Sequence, residues 1–213
     1  MQNYISNRSP YAIQFNTRVT AISPGAFGVG LTVTATNNGV PGVQYQYPHV
    51  ISTLPLTVLR STNMDNAGLS PMQSNALREL NYGPAIKIGM QFKTAWWTLA
   101  KDKDGIPLNI VGGQSYTDRM IRTIVYPSFG DVLDGKTTTL IASYCWTEDA
   151  SRFGALIGNN STFPGDDQFL QNLVIRELAV IHNVEEDFLR DQLIDTMSWS
   201  WEHDPYTMGK WQF

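Results

Sequence analysis

Between Tyr82 and Trp97 the chain alternates apolar and polar positions with a period of two, with Ile86, Ile88, Met90 and Phe92 on one side. That spacing predicts a strand with one face in a core. The breaker pair Gly83-Pro84 precedes it, and Trp96-Trp97 closes it. Lys87 falls on the face opposite the isoleucines. Either that face meets water and Lys87 carries its charge outward on an apolar stem, or Lys87 points into a pocket and acts on a bound group.

The same pattern organises the N-terminal part. Tyr11–Phe15 and Thr17–Ser23 read as strand material broken near Asn16, with Val19 and Ile22 the firmest apolar positions. Pro24-Gly25 is a turn. Val29–Thr36 sets Val29, Leu31, Val33 and Ala35 against glycine and threonines, as a half-buried antiparallel strand does. Asn37-Asn38-Gly39 carries the chemistry of a turn with positive φ. Val43–Tyr47 alternates again, which completes a three-stranded meander. His49–Pro55 is a short apolar run that ends in Ser52, Thr53, Leu54 and Pro55. It reads as a strand buried on both faces. Its end is where a doubly wound sheet places a ligand, or else it is an ordinary buried strand and turn.

Helical signals follow. Ser70, Pro71 and Gln73 form a capping box ahead of Met72, Ala76, Leu77 and Leu80, which share a face. Lys101–Gly105 is a charged loop, and Tyr116–Arg119 a polar turn. Ile121–Tyr126 and Thr138–Trp146 read as strands. Thr147 is positioned to cap a helix through Ile157, and Gly158–Gly165 reads as a loop. Phe169, Leu170, Leu173, Val174, Leu178 and Ile181 have helical spacing behind a cap at Asp166 or Asp167. Asn183 with Glu186 predicts a second cap and a helix to about Leu193. No internal repeat is present.

Composition narrows the classes. With 213 residues, 42% hydrophobic and 16% charged, the chain can bury a real core. A net charge of −4 gives no basis for binding nucleic acid or an anionic membrane. A single cysteine excludes an intrachain disulfide framework and a cysteine-rich zinc site. Cys145, between Tyr144 and Trp146, reads as a packed core thiol. His49, His182 and His203 lack metal-ligand spacing. No apolar run approaches the ~20 residues of a membrane span, and the first residues lack signal-peptide features. The compartment is therefore open, and the overlapping sequons in Asn159–Thr162 matter only in a secreted protein. The strand-like start and the aromatic end, Tyr206–Phe213, lead to the expectation of a segment of a longer fold.

Four stretches stand in order: Val50–Arg60, Ala85–Trp97, Gly112–Gly130 and Trp199–Gly209. Together they resemble the flavin-containing amine oxidases, most closely the L-amino-acid oxidases of fungal and bacterial type, over nearly the whole chain. The resemblance implies an incomplete amine oxidase fold of α+β and α/β character. Residues 1–60 would be part of a Rossmann-like FAD-binding domain, 61–196 a mixed-sheet substrate domain, and 197–213 a return toward the flavin. No G-x-G-x-x-G occurs; Gly28-Val29-Gly30 lacks the third glycine.

Position by position, the resemblance implies that the Val19 backbone meets the FAD adenine and that Ser52, Thr53 and Pro55 pass near the cofactor. It makes Lys87 the lysine that holds a water at flavin N5. Such a cation stabilises negative charge as oxygen is reduced. Tyr126 would bind the substrate carboxylate, and Trp201 would form an aromatic wall. Lys210 and Trp211 would face the substrate side chain, where Lys210 departs from the small or apolar residues of relatives and would either favour an acidic substrate or point to solvent. The reaction implied is oxidative deamination of an L-amino acid by FAD and dioxygen to a 2-oxo acid, ammonia and hydrogen peroxide, with this segment inactive alone. A complementary chain carrying the rest of the fold and a homo-oligomer are the partners to consider. The other readings are a non-catalytic remnant that binds a partner through its sheet edges and a segment of a monoamine or polyamine oxidase.

Overall fold

The structure is a computed structural model that describes residues 2–129, 137–157 and 168–211, the side chains of Lys210 and Trp211 excepted. Its contacts divide the chain into two compact units, Met1–Asn81 and Tyr82–Phe213. The boundaries at residues 60 and 196 follow roles implied by the resemblance, whereas the boundary after Asn81 follows packing.

In the first unit, β1 (Thr17–Pro24), β2 (Leu31–Asn37) and β3 (Val40–Tyr47) form the expected antiparallel meander. The β2–β3 loop is Asn38-Gly39, with φ of 47° and 83°. Both residues are left-handed, which is what a two-residue hairpin needs to match the twist of its strands. Upstream, the strand-like start is corrected. Gln2–Arg8 is a helix, α1, with no buried residue, and Tyr11 is 88% exposed in a turn. The ladder begins only at Thr17, and among the described residues no strand pairs with Tyr11–Phe15.

The expected buried strand over His49–Pro55 is also corrected. No ladder among the described residues includes it, and Ile51 is 91% exposed. An apolar run becomes a strand only where a neighbouring backbone takes its hydrogen bonds. The segment instead leads into a short helix, α2 (Leu56–Arg60). The capping box of α3 (Pro71–Glu79) forms as expected: Ser70 Oγ accepts from the Gln73 N–H, and Gln73 Oε1 accepts from the Ser70 N–H. Its apolar face is not buried in this unit, and Met72 stands exposed. The far end of α3 is held by Arg60, which donates to the carbonyls of Leu77, Arg78 and Leu80 at 2.6–3.0 Å. Those acceptors are ones that a helix end leaves unpaired.

The second unit contains β4 (Tyr82–Gly83), β5 (Ala85–Phe92), α4 (Trp96–Leu99), β6 (Gln114–Tyr116), β7 (Thr123–Val125) and β8 (Thr139–Trp146). It continues through α5 (Glu148–Gly154), α6 (Gln168–His182), α7 (Glu186–Gln192), β9 (Leu193–Ser200) and β10 (Lys210–Trp211), which pairs with β4. The main sheet runs β6-β7-β8-β5-β9. Among the described residues every ladder in it is antiparallel, and Arg122 and Tyr144 make one isolated parallel bridge.

One face of that sheet is closed. Ile86, Ile88, Met90 and Phe92 of β5 are fully buried. They share a core with Leu170, Val174, Leu178 and His182, spaced by four along α6. Phe92 meets Trp96 and Trp97 edge-on at 5.7 and 6.1 Å. Burial contributes roughly 1.5–3 kcal/mol for each such side chain.

The pairing of β5 with β8 shifts between Ile88 and Gly89, where Ala142 is the extra residue. A bulge of this kind changes the parity of a strand. Leu140 and Cys145 therefore both face the core, while Ile141, Tyr144 and Trp146 face the other way.

Two expected helix caps are replaced. Thr147 makes no side-chain cap to α5 and takes φ 59°, and α5 ends at Gly154. Asn183 does not open α7; Glu185 occupies that position without a side-chain cap. Asn183 instead closes α6 with φ 52°, while the N–H of Val184 bonds to Ala179 O and its own N–H to Val180 O. This is the Schellman pattern with asparagine in the left-handed position. The expected loop over 158–165, the caps at Asp166 or Asp167 and the sequons at 159–162 lie outside the described residues. Among the described residues no helix is long and apolar enough to cross a membrane.

Candidate active site

The second face of the β5 sheet is open and aromatic. In register, Lys87 of β5 lies opposite Tyr144 of β8 on one side and Trp199 of β9 on the other. Lys87 is half-buried, with its Nζ 4.9 Å from the Tyr144 ring centroid and 5.4 Å from that of Trp201. Both distances lie within the ~6 Å over which a cation is attracted by a ring quadrupole. Tyr144 meets Trp146 edge-on at 5.0 Å. Trp146, Met197 and Trp199 are 47%, 65% and 40% exposed on the same face. Among the described residues Lys87 forms no ion pair.

Trp201 follows β9 and is fixed through its backbone. Its N–H donates to Ala85 O at 3.0 Å, and its carbonyl accepts from Thr207 Oγ1 and the Gly209 N–H. Gly209 has φ 116°, and a Cβ there would come within 2.8 Å of the Tyr82 Cβ, so only glycine closes this loop without strain. Lys210 and Trp211 continue into β10 beside β4, while their side chains lie outside the described residues.

Tyr126 is placed elsewhere. It is 2% exposed, inside the closed core, 6.5 Å from Trp97. Its hydroxyl lies 3.0 Å from Ser115 Oγ and 2.5 Å from His182 Nε2. His182 Nδ1 lies 2.8 Å from Leu178 O. A carbonyl only accepts, so Nδ1 carries the hydrogen and Nε2 accepts from the Tyr126 hydroxyl. Ser115 then donates to the Tyr126 oxygen. Burial pushes the Tyr126 hydroxyl above its ordinary pKa, an effect that the Ser115 hydrogen bond opposes. Burial pushes His182 below its ordinary value, against the opposing hydrogen bond to Leu178. The structure thus brings Lys87 and Trp201 together and places Tyr126 on the closed face.

A groove of about 340 Å³ lies beside Trp146, lined by Tyr116, Arg122, Thr147 and Asp149 among others. Asp149 is buried and accepts from Arg122 Nε at 2.5 Å and Arg152 at 2.7 Å. Burial raises its pKa, but the two guanidinium groups outweigh that and hold it below the ordinary value. Cys145, fully buried, has its thiol pushed up to about 11 by burial, which makes it a packed thiol rather than a nucleophile.

The family model described as flavin containing amine oxidoreductase matches residues 1–213. The chain belongs to this family. It is 46% identical to L-amino-acid oxidase 4 of Hebeloma cylindrosporum over 99% of its length and 33% of that protein's. It is 39% identical to a putative bifunctional amine oxidase of Dictyostelium discoideum, over 76% of this chain and 14% of the relative. The chain thus spans about a third or less of the curated relatives to which it is matched here. A putrescine oxidase variant shares its fold at a TM-score of 0.64 and 16% identity, over 91% of this chain and 36% of that structure.

For a flavin amine oxidoreductase, the chemistry on the open face fits a flavin edge. A lysine with no carboxylate partner among the described residues is available to a group that gains negative charge, and flat rings surround it. Sequence reasoning missed Tyr144, Trp146 and Trp199 as neighbours of Lys87. Alternation alone could pair Tyr144 with Trp146, but only the register brings them to Lys87. The residues expected at the cofactor belong to the first unit. Val19 is half-buried on edge strand β1, beside a bulge before Ala21. Ser52 and Thr53 are exposed, and Pro55 begins α2 through a 2.8 Å bond from the Leu59 N–H to its carbonyl.

Proposed function

We propose that this chain is the part of an FAD-dependent L-amino-acid oxidase that supplies the lysine beside the flavin. The observation that carries the reading is the Lys87 ammonium, which has no ion-pair partner among the described residues and lies between two aromatic rings, in a chain 46% identical to a fungal L-amino-acid oxidase. When bound, FAD would supply the redox chemistry, a two-electron oxidation of the amino acid coupled to reduction of dioxygen to hydrogen peroxide, so that hydrolysis of the imine would give a 2-oxo acid and ammonia.

The chain's own residues hold and tune. The Lys87 ammonium would donate toward the flavin through a water and would offset negative charge while oxygen is reduced. Trp201 walls the substrate site. The resemblance assigns Lys210 and Trp211 to the substrate side-chain region, where a lysine would favour an acidic substrate. The Val19 backbone, Ser52, Thr53 and Pro55 would help to hold the cofactor. Tyr126, with its hydroxyl committed to Ser115 and His182, supports β7 from inside. The 213 residues contain no G-x-G-x-x-G, so the chain alone does not retain FAD.

The test is flavin content and peroxide release with a panel of L-amino acids and putrescine. The 213-residue chain with added FAD is compared with a longer protein that joins this segment to a diphosphate-binding domain. Expected are no flavin and no peroxide from the chain, and peroxide from L-amino acids, acidic ones included, in the longer protein. Peroxide from the chain alone overturns its dependence on further residues. Peroxide from putrescine but not from L-amino acids overturns the substrate class.

A further inference from the structure

We infer that Tyr144 and Trp201 act as a two-ring clamp that positions the Lys87 ammonium, so that Tyr144 is a positioning residue for the oxygen step. Its functional half rests on the reading of Lys87 just given. A lysine side chain has four rotatable carbons, and in water its ammonium wanders over several ångströms. Here three constraints meet. Tyr144 is the direct cross-strand partner of Lys87, where opposing Cβ atoms lie ~5 Å apart. The Tyr144 ring is itself braced edge-on by Trp146. Trp201 approaches from the end of β9, with its backbone fixed by Ala85, Thr207 and Gly209.

The choice of rings over a carboxylate has a chemical consequence. A carboxylate would hold Nζ equally well but would neutralise it and take one of its hydrogens. Aromatic faces attract the cation without cancelling its charge. The clamped ammonium therefore keeps its donors and its positive field for a ligand that becomes anionic. The attraction is to the ring face, which makes phenylalanine the conservative replacement.

The clamp can be read without flavin. In the 213-residue chain, lysines carrying ¹³C-dimethyl groups stay cationic, and the Lys87 signal is assigned by its loss in Lys87→Arg. Ring currents from Tyr144 and Trp201 should displace that signal upfield of the other five lysines. Tyr144→Phe should retain the displacement, whereas Tyr144→Leu and Trp201→Leu should each return it part-way to the rest. Unchanged signals from the other lysines show that a variant has folded. A Lys87 signal already among the others, or one that neither leucine variant moves, overturns the clamp. Should one leucine variant fail to fold, the other decides. In the longer flavoprotein, reoxidation of reduced flavin should slow at least tenfold in Tyr144→Leu and recover in Tyr144→Phe, with the substrate KM unchanged. A displaced Lys87 signal combined with unchanged reoxidation leaves the clamp standing and removes Lys87 from the oxygen step.

Discussion

The two faces of the β5 sheet are made by alternate residues of the same strands, yet they differ in kind. The closed face carries Ile86, Ile88, Met90 and Phe92 against α6, and it encloses the hydrogen-bonded Ser115–Tyr126–His182 chain. The open face carries Lys87, Tyr144, Trp199 and Trp146, large side chains that remain partly exposed. The closed face has the composition that stability demands. The open face has a cation and rings that a folding argument alone would not place there. The lesson is that a strand with period two can hold stability and chemistry on separate sides, so that each is altered with little effect on the other.

That separation can be broken by experiment. The largest effect is expected from Phe92→Ala, which removes a fully buried ring between two tryptophans. A loss of about 3–5 kcal/mol is expected by chemical denaturation. A loss below about 1 kcal/mol would mean that the closed face is not the core. Next comes Tyr126→Phe. It strands the buried acceptor of His182 and should cost about 1–3 kcal/mol in the same assay. A neutral result would release Tyr126 for a ligand role.

Acid should act on the closed side too. His182 is held neutral, with its pKa below the ordinary 6.5, so its contribution is complete above about pH 6.5 and is lost as pH falls below it. Asp149, held below its ordinary 3.8, contributes fully above about pH 3.8 and loses that contribution at lower pH. Stability measured from pH 7.5 downward should therefore fall in two steps. Replacing His182 by glutamine should remove the first, and persistence of that step would place its origin elsewhere. The smallest effect on stability belongs to Lys87→Met, at no more than about 1 kcal/mol, since only partly exposed cation–ring contacts are lost. A larger loss would show that the open face also carries the fold.

Much of this was legible from spacing. The alternation at Ile86–Phe92, the Asn38-Gly39 turn, the Ser70–Gln73 capping box and the apolar stripe of α6 each appear where the pattern predicts. These are local features, decided within a few residues. What the pattern missed depends on distant partners. His49–Pro55 is apolar enough for a buried strand but has no ladder among the described residues. Asn183 fits a helix start as well as a helix end, and its left-handed backbone decides for the end. Lys87 and Trp201 could be named from the resemblance to a family, but Tyr144 could not be joined to them, because register is a property of two strands.

The bulge at Ala142 limits how this sheet can change length. A regular ladder would put Leu140 and Tyr144, four residues apart, on one face; the extra residue sends them to opposite faces. Deleting Ala142 would leave a regular ladder, with Leu140 still opposite Met90 and Tyr144 still opposite Lys87, whereas deleting a residue beyond the bulge, such as Cys145, would bring Trp146 onto the core face. A single-residue deletion in β8 should therefore survive at the bulge and not beyond it. A sequence library of length variants across 139–146, sorted for folded protein, would show that preference directly.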